Sequence, residues 1–365
     1  MATNEKWVMR TRLVTGIRQG LSRCVLLSGC LLALPVHGLV IRGYDPARHN
    51  RFASGFPASP AVNPNFHAAF YDFSGVGWHS ADPNLGCTLI SPLHFVGANH
   101  VKPGIGATVT FYARDGVLRS FTVANLHNIT NAAGENTDLF IGELNRPVTP
   151  CDNITYYPIL NLASEGAYVG KDLLVYGKSG RVGKATIGAV QDFGGDPITG
   201  GAGINSTRVY SFSYLNALGS PDDCHAEGGD SGSPSLVGMD GELFVVGVHG
   251  AVLTTGFGVT TFDAFVPHYL EQISGILRQR GYPTPTSARE VFRLCYQLTP
   301  LATDDYRLSW IGHPGRVYQV EATTNWSNFS PVSGRLTANV ATVTYVHSNS
   351  ADRVKFYRVR RIDFP

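Results

Sequence analysis

The sequence predicts an all-β protein of the barrel or sandwich class, with a second, small β region at its C-terminal end. Composition is the first reason. Only 15% of the 365 residues are charged, against 41 glycines and 21 prolines, a balance that suits turn-rich sheets and disfavours coiled coils and long solvated helices. Patterning is the second. From about Gly86 onward, short β-rich runs such as CTLIS, ATVTFY, SFTVANL, DLFIGEL, DLLVYG, RVYSFSY and LFVVGV alternate with turn clusters of Gly, Asn and Asp. The third is that only one late stretch reads as a convincing helix. Pro267 suits a first helical position, Leu270, Ile273, Ile276 and Leu277 recur at helical spacing, and Gly281 and Pro283 end it.

The N-terminus reads as an address. Lys6, Arg10, Arg12, Arg18 and Arg23 precede an apolar core from Val25 to Val36. That core is short of the roughly 20 residues a bilayer span needs, and its basic-then-apolar order fits a secretory signal peptide over residues 1–38, cut after Gly38. Leu27-Ser28-Gly29-Cys30 also resembles a lipobox, with few apolar residues before it. No later stretch is long and apolar enough to span a membrane. The expected location is therefore secreted or periplasmic. Residues 39–282 then form the main domain, although Leu39 to about Gly77 shows little periodicity. The Pro/Thr/Ser-rich stretch 283–289 is a linker. In 290–365 the runs YRLSW, RVYQVEA, ATVTYVH and VKFYRV alternate as half-buried strands of a small β-sandwich do.

Charge excludes one class of partner. A net charge of +2 from 29 basic and 27 acidic residues, with no Lys/Arg block, argues against a nucleic-acid binder. Hydrophobic content of 43% excludes wholesale disorder. Six cysteines are present. Cys24 and Cys30 fall in the signal, and Cys87, Cys151, Cys224 and Cys295 remain for oxidation after export, with three possible pairings and no zinc-like spacing.

Three segments carry chemistry. Gly86–Val101 (GCTLISPLHFVGANHV) is an apolar strand, a turn at Pro92 and a second apolar strand ending at His100. Asn136–Leu144 (NTDLFIGEL) sets Asp138 at the start of an apolar run. Gly228–Pro234 (GGDSGSP) holds Ser231 in a glycine-rich turn. A serine hydroxyl is a poor nucleophile at neutral pH. It needs an adjacent base, and the base needs a third group to fix its tautomer. Glycines beside the serine let successive backbone N–H groups converge where an oxyanion would form. Each residue also has a plainer reading: a strand-end histidine, a turn-capping aspartate, an ordinary Gly-turn serine. His94 is a competing imidazole.

Taken in order, the segments resemble the trypsin/chymotrypsin-like serine protease family. The stretch before His100 is similar to the family's "SLIS…TAAH", Asp138-Leu-Phe-Ile to its "DIALL", and Gly229-Asp-Ser-Gly232 to its "GDSG". Val246-Gly-Val-His249-Gly250 resembles the strand lining the substrate groove, Gly258-Val259 the far pocket wall, and 267–280 the closing helix. The likeness covers about residues 65–282. It implies two six-stranded antiparallel β-barrels and a C-terminal helix. It implies Ser231 as nucleophile, His100 as general base and then acid, and Asp138 as orienting carboxylate, with the Gly229 and Ser231 N–H groups as oxyanion hole. It implies His225, Ala226, His249, Gly250 and Gly258 around the substrate, no cofactor and no metal.

The sequence departs from the family pattern in several places. Val101 stands where most animal members have the cysteine that would bridge to Cys87. No Ile-Val-Gly-Gly start is visible, so Asp230 needs some other cation or hydrogen-bond donor. Six residues before the nucleophile stands His225 rather than an acid. The VGVHG and GDSGSP runs are similar to bacterial glutamyl endopeptidases, in which a histidine at the place of His249 meets a substrate carboxylate; that likeness implies a preference for acidic residues. Ala226 stands where those enzymes place a hydroxyl, and Glu227 adds negative charge. The tail, with Trp310, Tyr318, Trp326 and Phe356, resembles a fibronectin-III-like module of bacterial exported proteins, its aromatics being core more often than a ligand platform. The resulting expectation is a monomeric, exported serine endopeptidase acting on protein or peptide substrates through an acyl-enzyme. The alternative is a catalytically silent, protease-like binding protein at the cell surface.

Overall fold

The computed structural model describes residues 38–194, 205–215, 218–239 and 241–286, and in the C-terminal region 296–301, 305–312, 315–325, 328–340, 342–348 and 356–362. The expected signal segment through His37, most of the linker, Cys295 and Trp326 lie outside the described residues.

Six antiparallel strands close a barrel. Around it run Val76–His79, Gly86–Leu89, His94–Gly97, Asn136–Leu144, Leu118–Thr130 and Thr108–Tyr112, the last pairing back to the first. Side chains alternate across each strand, and in Gly86–Leu89, His94–Gly97 and Asn136–Leu144 both faces are buried. Phe95, Phe140 and Leu144 fill the barrel with Leu89, Val109 and Phe111. Their neighbours Val96, Leu139 and Ile141 face outward into a second cluster. That is why these runs read as nearly continuous apolar sequence rather than as alternating strands. Each such large side chain contributes about 1.5–3 kcal/mol by its burial.

The outer cluster is the seam between the barrel and a second sheet. Leu236, Val245 and Val248 of the sheet meet Val96 and Ile141 there. The second sheet has seven strands, in the order Val182–Thr186, Asp172–Tyr176, Pro234–Met239, Glu242–Thr255, Gly258–Phe265, Thr207–Leu215 and Ala189–Phe193. The first and last of these are consecutive stretches of one run, so six runs build the sheet and the expected second barrel is present as this curled half-barrel. The chain breaks at Ile187–Gly188, where Ile187 is buried and the Gly188 N–H donates to the Ser211 carbonyl. Two strands result, one on each edge, and no ladder joins them. Barrel, curled sheet and terminal helix together make the chymotrypsin-like arrangement.

The helix, expected over 267–280, is a 3₁₀ turn over Val266–Tyr269 followed by an α-helix over Leu270–Gln279. Ile273 and Leu277 are its buried stripe, and both join the seam cluster. Among the described residues no helix is long and apolar enough to cross a membrane.

The stretch after Gly38, unreadable by periodicity, is held by polar contacts. Val40–Ile41 pairs with Cys224–His225, and Asp222 gathers Arg48, His49 and Lys184 at 2.8, 3.1 and 3.0 Å. The Arg48 hydrogen bond outweighs burial and holds the Asp222 carboxyl far below the usual range. Cys87 and Cys224 are free and buried. Burial pushes both thiols up, so neither is a reactive thiolate.

Further strands follow the helix. Tyr296–Pro300, Tyr306–Ile311 and Thr342–His347 form one sheet. Val317–Thr323 pairs with Ser330–Pro331, Leu336–Thr337 and Phe356–Arg361 in another. Trp310, Tyr318, Val320 and Tyr357 form the core between them, so Trp310 and Tyr318 are packing residues, while Phe356 is half-buried. Arg316 stacks over the Phe70 ring at 3.8 Å and donates to the Gly241 carbonyl, seating this region on the preceding fold.

Candidate active site

The three chemistry-bearing segments meet at the seam. His100 lies on a 3₁₀ turn, Asn99–Val101, just beyond the His94–Gly97 strand. The Asn99 amide pins that turn by donating to the Thr137 carbonyl at 2.9 Å. Asp138 sits in the neighbouring barrel strand, where its backbone N–H donates to Thr207 Oγ1 of the second sheet at 2.9 Å. His100 faces it twice: its backbone N–H donates to Asp138 Oδ1 at 3.0 Å, and Nδ1 lies 2.9 Å from both carboxylate oxygens. The opposite ring nitrogen, Nε2, lies 2.9 Å from Ser231 Oγ. A carboxylate on Nδ1 fixes the hydrogen there and leaves the Nε2 lone pair for the hydroxyl. His94, the competing imidazole, whose likeness to a variable turn implies a surface position, is instead fully buried, with Nδ1 2.8 Å from Ser91 Oγ.

Ser231 sits in a turn that leads into the Pro234–Met239 strand. Gly229 and Gly232 have φ of +96° and +81°, the left-handed region where glycine carries little penalty. At Gly232 a β-carbon would also collide with the Gly86 carbonyl. The turn is tied to the barrel, for the Gly86 N–H donates to the Ser231 carbonyl at 3.0 Å. The Gly229 and Ser231 N–H groups donate to no acceptor among the described residues.

Beneath the turn lies Asp230, fully buried. Its carboxylate accepts backbone N–H groups of Leu39, Lys178 and Glu227 at 2.9, 2.8 and 2.8 Å. Burial nevertheless pushes its pKa up. These amides answer the question the sequence left open about what Asp230 binds.

His249 is placed differently from the sequence expectation. It is buried, with Nδ1 2.7 Å from Asp263 Oδ1 and Nε2 3.0 Å from the Tyr176 carbonyl. The Tyr210 hydroxyl donates to the other Asp263 oxygen at 2.9 Å. A carboxylate and a carbonyl both accept, so both ring nitrogens carry hydrogen and the ring is an imidazolium. Burial alone would lower its pKa. The adjacent Asp263 carboxylate, with Asp230 and the Tyr176 carbonyl, more than offsets this and raises it. Neither N–H is left to meet a substrate carboxylate, as the likeness to glutamyl endopeptidases implies.

A half-open cleft of about 410 Å³ adjoins His100 and Ser231. Of the expected substrate residues, Ala226, His249 and Gly250 line it. His225 and Gly258 do not. His225 is buried with Nδ1 on the Ala226 carbonyl and its ring edge-on to Tyr214, and Gly258 pairs with Leu215 at the far end of its strand. Phe193, Val252 and Leu253 line the cleft unexpectedly. They come from strand ends distant from Ser231 in sequence, and no local motif marks them. Among the described residues Glu227 is the only carboxylate on the lining.

No family model matches the chain, and no curated protein matches it. Among solved structures it is similar to a mutant of human heparin binding protein (CAP37), at 20% identity over 58% of this chain and 95% of that chain, with a TM-score of 0.42.

Proposed function

We propose that the chain is a serine endopeptidase that hydrolyses peptide bonds through Ser231, His100 and Asp138. The observation carrying this reading is the His100 ring, with Nδ1 2.9 Å from the Asp138 carboxylate and Nε2 2.9 Å from Ser231 Oγ. In this reading Ser231 Oγ attacks the substrate carbonyl carbon while His100 Nε2 takes its proton, and Asp138 stabilises the imidazolium that forms. The carbonyl oxygen becomes an oxyanion and accepts from the uncommitted Gly229 and Ser231 N–H groups. One such donor is worth about 10²–10³ in turnover. His100 then protonates the leaving amine, and the acyl-enzyme remains. Water, deprotonated by the same imidazole, releases the acid and restores Ser231.

The basic-then-apolar N-terminus supports export of this enzyme, and the C-terminal strands support a separate fibronectin-III-like module of the bacterial type. The silent binding-protein alternative is disfavoured by a complete trio beside two uncommitted amides. A fluorophosphonate probe tests the reading: the intact chain is labelled at Ser231, and Ser231→Ala loses the label. Labelling that persists in the variant refutes the nucleophile assignment. Absence of any peptide or ester hydrolysis by the pure protein supports the silent alternative.

A further inference from the structure

Resting on that reading, we propose that Glu227 is the residue that selects the substrate, and that it selects a cationic side chain, Lys or Arg, on the residue preceding the scissile bond.

The Glu227 side chain is half-buried on the cleft wall and makes no hydrogen bond or ion pair among the described residues. Its place is fixed by its backbone, whose N–H donates to Asp230 Oδ2 at 2.8 Å. The carboxylate therefore moves with the nucleophile turn. Apart from His100 and Ser231, most of the remaining wall is glycine, alanine or larger apolar side chains. An apolar occupant would strip water from Glu227 without replacing its hydrogen bonds, and an acidic occupant would add repulsion. A neutral donor replaces hydrogen bonds only, whereas a cation supplies both donors and the opposite charge.

The other charges around the cleft do not compete for this role. The His249 cation is spent on Asp263 and the Tyr176 carbonyl. Asp230 is enclosed by three backbone amides. Lys178 is buried, its ammonium 3.2 Å from where a Gly229 β-carbon would project, and it forms no ion pair with Glu227 among the described residues. Among the described residues of the cleft, Glu227 is thus the one charge both uncommitted and open to a ligand.

The test has a binding arm and a turnover arm. In the first, benzamidinium, benzamide and benzoate are titrated into the Ser231→Ala protein by calorimetry. Benzamidinium binds at least about tenfold tighter than benzamide, benzoate binds weakest, and Glu227→Gln in the same background removes the difference. In the second, peptide amides with Lys, Leu or Glu before the scissile bond are compared. The Lys/Leu ratio of kcat/KM exceeds about ten, falls about tenfold in Glu227→Gln, and falls for the unaltered enzyme as salt is raised. Equal or tighter binding of benzoate, or Lys/Leu ratios insensitive to both Glu227→Gln and salt, overturns the proposal. Because the binding arm needs no turnover, failure of the protease reading and failure of this inference are separable. Far-ultraviolet circular dichroism checks that the variant is folded, and the salt series stands without it.

Discussion

Replacing His249 by Leu removes the cation from a buried pair whose side chains are 2% and 0% exposed. Asp263 is then left with the Tyr210 hydroxyl alone. Breaking a buried ion pair from one side costs about 3–5 kcal/mol, because the surviving charge stays desolvated. Against a total stability of about 5–15 kcal/mol, that is a large fraction. Asp263→Leu should cost a similar amount for the mirror reason. The double variant should cost less than the sum by at least about 2 kcal/mol, since no charge remains buried without a partner. The assay is urea unfolding of all four proteins at pH 6, followed by tryptophan fluorescence. Its pH dependence has a definite sign. A raised folded pKa gives stability that is fully present below the unfolded imidazole value and is lost as pH rises through the folded one. The cost of His249→Leu should therefore shrink at alkaline pH. Single variants that lose under about 1 kcal/mol, or a double variant additive within about 0.5 kcal/mol, would refute the imidazolium assignment.

Three other outcomes are expected. Asp138→Asn should keep the fold but reduce kcat by about 10⁴, because an amide no longer enforces the Nδ1–H tautomer of His100; steady-state kinetics on one peptide amide reads this. Gly232→Ala should lower stability by about 1–3 kcal/mol and impair turnover, since the turn requires a positive φ and an empty space beside the Gly86 carbonyl; paired urea titration and probe labelling check it. Acid should destabilise the fold between pH 6.5 and 4. Burial holds His79 and His94 down at about 4, so the unfolded chain binds more protons across that window. Each contributes up to about 3 kcal/mol, present above the unfolded value and lost as pH falls through the folded one. Urea midpoints at pH 7 and pH 4.5 measure the sum.

The sequence was most informative where chemistry is written locally. The GGDSGSP turn needs its glycines for backbone reasons, and it folds as a turn whose Gly229 and Ser231 N–H groups donate to no acceptor among the described residues. The apolar runs before His100 and after Asp138 form adjacent barrel strands because each has to bury both faces. What sequence could not convey is tertiary pairing. His249 reads as a pocket histidine until Asp263 and the Tyr176 carbonyl, on two other strands, occupy both its nitrogens. His100 reads as the end of a strand, yet Asn99 turns the chain into a 3₁₀ coil to reach Thr137. The run from Val182 to Phe193 divides at Ile187–Gly188 and its two parts pair with different neighbours, Asp172–Tyr176 and Thr207–Leu215, a change of partner that the run itself does not spell out. The segment after Gly38 has no periodicity because its buried apolar residues, among them Leu39, Ile41, Phe52, Phe66 and Phe73, enter three separate clusters from short strands and turns, while Asp222 and Asp230 anchor it through ion pairs and backbone amides.

The reactive trio straddles the seam. His100 and Asp138 belong to the closed barrel, Ser231 to the curled sheet, and the Gly86-to-Ser231 backbone bond stitches one to the other. Neither half contains the whole trio, so the proposed cleavage requires the two to be docked. A chain severed in the connecting segment between residues 145 and 171 would therefore make turnover a reporter of reassembly, with proteolysis acting as the signal that two fragments have found each other.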